Sequence, residues 1–73
     1  MKVNPERLRS AREGAGLSRE RLARLLDVSS VTVWRYEKGA QNPTADTLGA
    51  WATACSVPIE SLFEPTTPAA ANG

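Results

Sequence analysis

Helix caps punctuate this sequence more regularly than any other feature, and the spacing between them leaves room only for short helices. Asn4 followed by Pro5 reads as an N-cap with proline at the first helical position, where its missing N–H costs nothing. Ser18, Ser29 and Thr44 repeat the signal, and Asp46 in the first turn after Thr44 suits the helix dipole. Gly16 and Gly39 are placed to end the first and third helices as left-handed residues. Ala40-Gln41-Asn42-Pro43 has the chemistry of a loop.

Between the caps the apolar residues recur at helical spacing. Leu8, Ala11 and Ala15 mark the first helix, and the short alanines predict close approach by a neighbour. Leu22, Ala23 and Leu26 mark the second, with Leu25 at the edge and Arg19, Arg21 and Arg24 over the rest of its surface. Leu48, Trp51, Ala52 and Cys55 form the buried stripe of the fourth. Val57-Pro58 breaks the chain, and Ile59, Leu62 and Phe63 predict a short fifth helix. The β-branched residues never alternate over a useful length, so no strand is expected. The prediction is an all-α, compact five-helix bundle over residues 1–64, followed by a disordered tail over 65–73, where nothing could build a core.

Seventy-three residues make one domain, small enough to need economical packing or staples. A single cysteine cannot form an internal disulfide, and without histidine there is no metal cluster to propose. Helix packing, helped by self-association, must serve instead. The lone thiol fits a reducing compartment. The start, Met1-Lys2-Val3-Asn4-Pro5, is too polar for a signal peptide, and no apolar run reaches the roughly 20 residues of a membrane span. A cytoplasmic protein without cofactor is expected. The missing histidine, phosphate-loop glycines and paired carboxylates argue against an enzyme.

Charge is segregated along the chain. All nine basic residues lie at or before Lys38, against five acidic ones, while Asp46, Glu60 and Glu64 follow with no base among them. Such a chain can turn a positive face to a polyanion while staying near neutral on average. On charge alone, a chance segregation of solvated residues fits as well.

The segment from Leu17 to Gly39 carries more information. Two helices of about two turns meet at the three-residue turn Asp27-Val28-Ser29, with Val28 placed to pack inward and fix the angle between them. This is the layout of a helix-turn-helix, whose second helix enters the DNA major groove. With Ser30 at zero and about 100° per residue, Trp34, Lys38, Val31 and Arg35 fall with Ser30 in the half-turn between zero and about 140°. Thr32, Val33, Tyr36 and Glu37 fall in the other. A solvated face would rarely expose valine and tryptophan beside arginine and lysine, whereas a DNA-reading face could use each of them.

At these residues the sequence resembles the lambda-repressor/Cro-type (XRE-like) helix-turn-helix regulators. The resemblance runs from about Leu8 to Phe63. It is carried by Gly16-Leu17-Ser18, Leu22-Ala23, Val28-Ser29, Glu37-Lys38-Gly39, Asn42-Pro43-Thr44, Thr47-Leu48 and Val57-Pro58-Ile59-Glu60-Ser61-Leu62-Phe63. It implies a five-helix bundle, sequence-specific binding of double-stranded DNA, a homodimer on a palindromic operator, and no catalysis. The most fitting member is a phage-type or bacterial repressor. An antitoxin or adaptor-type interaction module on the same fold is the rival reading.

Roles follow for individual residues. Arg35 is the candidate for direct readout, since a guanidinium pairs with O6 and N7 of guanine; a phosphate contact or an ion pair with Glu20 or Asp27 is the alternative. Ser30 and Val31 take the first helical positions, which in this family usually touch base edges. Trp34 replaces the small polar residue usual there, and either meets the groove or packs on a neighbouring helix. Arg9, Ser18, Arg19, Lys38, Gln41 and Asn42 are candidate phosphate contacts, set against ordinary surface solvation. The family commonly pairs the positions of Arg12 and Glu37 in a partly buried salt bridge, which implies a structural role here. Asp27 departs from the usual glycine, and aspartate tolerates a left-handed backbone there at some cost. Ile59, Leu62 and Phe63 are candidates for a dimer patch shared with the core. If the chain is complete, it has no room for a small-molecule effector pocket.

Overall fold

The computed structural model describes residues 2–64. It contains four α-helices, α1 (Pro5–Gly14), α2 (Arg19–Leu26), α3 (Ser30–Lys38) and α4 (Ala45–Cys55), and a single 3-10 turn, Ile59–Leu62. The expected tail over 65–73 lies outside the described residues.

Each α-helix opens on a side-chain cap. Asn4 Oδ1 accepts from the Glu6 N–H at 2.9 Å, and Ser18 Oγ from Arg21 at 3.0 Å. Ser29 Oγ accepts from Thr32 at 3.1 Å, and Thr44 Oγ1 from Thr47 at 3.2 Å. Each helix also closes the same way. A residue with positive φ follows the last turn, and the next N–H reaches back five residues to a helix carbonyl. The left-handed residues are Gly16, Asp27, Gly39 and Ser56. The closing bonds run from Leu17 to Arg12 (3.1 Å), Val28 to Ala23 (3.0 Å), Ala40 to Arg35 (2.9 Å) and Val57 to Ala52 (3.0 Å). This closure satisfies carbonyls that a bare helix end would leave unpaired. It also turns Leu17, Val28 and Val57 back against the core.

The core is built from all five elements. Leu8, Leu22, Val33, Trp51 and Leu62 are completely buried, and Ala23, Tyr36, Leu48, Ala52 and Cys55 complete it. Each fully buried large aliphatic side chain contributes about 1.5–3 kcal/mol relative to exposure. Trp51 also donates its indole N–H to the Leu8 carbonyl (3.1 Å) and meets the Tyr36 ring edge-on, with centroids 6.1 Å apart. The central α4 packs against α1, α2 and the 3-10 turn, whereas α3 packs on α1 and α2. That leaves one side of α3 outside the bundle.

Two expectations are corrected. The five-helix bundle is a four-helix one, because the segment after Pro58 makes a 3-10 turn of four residues. A single turn does not repay the cost of helix nucleation, and the residues after the turn have other partners. Phe63 forms an antiparallel bridge with Val3, Asn4 N–H donates to the Leu62 carbonyl (3.0 Å), and Glu64 N–H donates to Lys2 (2.8 Å). Phe63 is therefore extended rather than helical. In α1, Ala15 is the exposed C-cap rather than part of the buried stripe. The inward place goes to Arg12, which has bonds to make there.

Candidate nucleic-acid interface

The outward side of α3 carries Ser30, Val31, Trp34, Arg35 and Lys38. Val31 is 53% exposed and Trp34 43%, while Val33, Tyr36 and Glu37 are buried on the opposite side. Thr32 is half-buried, its hydroxyl 2.9 Å from that of Ser29. Trp34 does not enter the core; the Lys38 ammonium lies over its ring, 5.5 Å from the centroid. Arg35 is exposed and, among the described residues, has no carboxylate within 4.0 Å, neither Glu20 nor Asp27. A cleft of about 170 Å³ lies between the starts of α2 and α3, lined by Arg19, Glu20, Ser30, Val31 and Trp34.

Around this helix an ion cluster fixes the backbone. Arg12 Nε donates to Glu37 Oε2 at 2.6 Å, its Nη2 to Oε1 at 3.3 Å, and its Nη1 to the Leu17 carbonyl at 2.8 Å. The pair is nearly dry, with the two side chains 9% and 2% exposed. It ties α1 and the loop before α2 to the last turn of α3. Arg19 joins the same carboxylate, with Nε 3.4 Å from Oε1. Its side chain remains 43% exposed. The N–H groups at the first positions of α2 have no intrahelical partner.

Four further predicted contact residues lie outside α3. Ser18 Oγ accepts the Arg21 N–H, which leaves its own proton free to donate. Gln41 and Asn42 are exposed in the loop between α3 and α4. Arg9 is exposed on α1 and bonded to Glu13 (3.0 Å), and that bond raises its pKa further. The Arg9–Glu13 pair sits at i, i+4 and was readable from the sequence. The sharing of Glu37 by Arg19, and the place of Glu20 in the cleft, were not, because only the packing of α2 on α3 brings those residues together. Leu62, expected near a dimer patch, is completely buried, while Ile59 is 36% exposed.

Burial pushes the Cys55 thiol up, which suits a packing residue rather than a nucleophile. Among the described residues no group of histidine, cysteine, aspartate or glutamate could hold a metal ion. No described helix is long and apolar enough to cross a membrane.

The family model described as "Helix-turn-helix domain" matches residues 6–63. No curated protein matches the chain significantly. Among solved structures, the chain is similar to the restriction-modification controller protein C.AhdI from Aeromonas hydrophila. Identity is 34% over 81% of this chain and 89% of that one, with a TM-score of 0.75. It has the fold of the P22 c2 repressor, solved with a synthetic operator, at 22% identity over 88% and 97% of the two chains and a TM-score of 0.77. HppE in complex with substrate matches at 31% identity and a TM-score of 0.76, over 84% of this chain but 34% of that one. The chain belongs to the helix-turn-helix domain family, as a DNA-binding regulator of the lambda-repressor/Cro (XRE-like) type.

Proposed function

We propose that this protein is a repressor of the phage or bacterial type that acts in the cytoplasm on a palindromic operator as a homodimer. In this reading α3 lies in the major groove. Ser30, Val31, Trp34 and Arg35 face base edges, with Arg35 bidentate to a guanine. Arg9, Ser18, Arg19, Lys38, Gln41 and Asn42 hold the phosphates on either side and set the register without reading sequence. The Arg12–Glu37 pair contacts no DNA; it holds α1 to the end of α3. Neither catalysis nor a small-molecule effector is involved.

The observation that carries the reading is the outer face of α3. Valine, tryptophan and an arginine with no ion-pair partner among the described residues stand there in one exposed strip, on a helix whose other side is locked into the core. The P22 c2 repressor, which shares this fold, was solved with a synthetic operator, and this supports duplex DNA as the ligand. Selection of bound sequences from random duplex DNA at a fixed salt concentration tests it. An inverted repeat should emerge, with half-sites about 34–36 Å apart or a multiple of that. Uniform weak binding at about 0.15 M salt, with no sequence enriched, would sink it.

A further inference from the structure

We infer that Lys38 sets sequence preference through Trp34, as a positioning residue, rather than only attracting phosphate. The inference rests on α3 reading duplex DNA. Trp34 is the largest group on the reading face, and at 43% exposure it has no core to hold it. Long side chains on a helix lean toward its N-terminus. The indole walls the cleft that Ser30 and Val31 line with Arg19 and Glu20.

One turn further on, the Lys38 ammonium reaches back in the same sense and lies over the ring. Among the described residues no carboxylate lies within 4.0 Å of Lys38 to draw it away. The indole is thus held by a cation over its ring, at the edge of a cleft at the start of the helix. A tryptophan fixed before binding loses less rotamer freedom in the complex than one that swings freely. It also presents one shape to the facing base pair. Without the cation, the indole would explore other rotamers and tolerate other base pairs. An ammonium has three donors, so a phosphate contact in the complex does not compete with this role.

The test compares wild type, Lys38→Met, Lys38→Arg, Trp34→Ala and the Trp34→Ala/Lys38→Met double variant. Affinities are measured on the selected operator and on each of its single base-pair variants. Lys38→Met should flatten the preference at the base pair where Trp34→Ala flattens it. The effect should be roughly two- to five-fold, the range of an exposed cation–π contact. In the Trp34→Ala background the second change should flatten nothing more, because the two residues act as one unit. Lys38→Arg should keep most of the preference. In the free protein, Lys38→Met should increase quenching of tryptophan fluorescence by acrylamide, a neutral probe that reaches Trp34 and not the buried Trp51.

A different result overturns the inference. If Lys38 only contacts phosphate, Lys38→Met weakens all sequences equally, leaves the preference profile intact and lowers the salt slope by about 0.9. A wild-type protein that prefers no sequence would fail the functional reading and this inference together. A preference that Lys38→Met leaves unaltered would fail this inference alone.

Discussion

Glu37 accepts from two arginines on two other segments of the chain, and its side chain is 2% exposed. Removing one partner of a buried ion pair leaves the other charge desolvated, at a cost of about 3–5 kcal/mol. Arg12→Ala should therefore lose stability of that order in a urea melt, while the folded fraction keeps its ranking of operator variants. The Arg19 bond to Glu37 is longer and half-exposed, so it rescues little. A variant that melted with the wild type would show that Arg12 does not clamp α1 to α3. The resemblance at Arg12 and Glu37 pointed to this pair. Nothing pointed to the third member, because Arg19 is eighteen residues from Glu37 and the contact depends on the angle between α2 and α3. Arg35 differs again: its residue type and helical angle suffice to put a guanidinium on the outer face, and only the structure shows that neither Glu20 nor Asp27 pairs with it.

Helix ends are where local sequence and packing meet. The N-caps are legible because a serine, threonine or asparagine bonds an N–H two or three residues away, with no help from the rest of the chain. The glycine closures at Gly16 and Gly39 are legible for the same reason. Ser56 gave no such signal, yet it adopts φ 58° so that Val57 can turn back onto the core. Asp27, at φ 59°, does the same for Val28 in the turn of the helix-turn-helix. A left-handed backbone costs a side-chain-bearing residue about 1–2 kcal/mol, and glycine's extra freedom in the unfolded chain returns roughly 0.5–1 of that. Asp27→Gly should then stabilise the fold by about 0.5–1 kcal/mol, read as a higher urea midpoint at unchanged slope. A lower midpoint would mean that the aspartate itself supports the turn. The segment after Pro58 misled for a related reason. Its apolar spacing suits a helix, but Val3 and the backbone of residues 2–4 compete for the same stretch.

At the scale of the whole molecule, ten buried apolar side chains and one buried ion pair among the described residues hold a small fold together, so a change at the centre is felt throughout. Cys55 reports on this. Burial raises its pKa above the ordinary thiol value of about 8.5, so the folded chain keeps a proton that the unfolded chain releases. The resulting stability is full below about pH 8.5 and is lost as pH rises through the folded value. Between pH 7 and 10 the melting temperature of wild type should fall more steeply than that of Cys55→Ala, whose starting value is lower. Parallel curves would place the thiol in water.

The sequence by itself determined where helices begin, where most of them end, and which side of α3 faces inward. Those choices depend on bonds within a few residues and on a 100° step. It also determined that the basic residues all lie at or before Lys38. Only the tertiary structure decided the rest. The expected fifth helix yields to pairing between residues 2–4 and residues 62–64. Arg19 shares a carboxylate with Arg12. The indole of Trp34 stays outside the core, beneath a lysine. Each of these is a competition between partners far apart in sequence, and its outcome depends on distances that no local pattern contains.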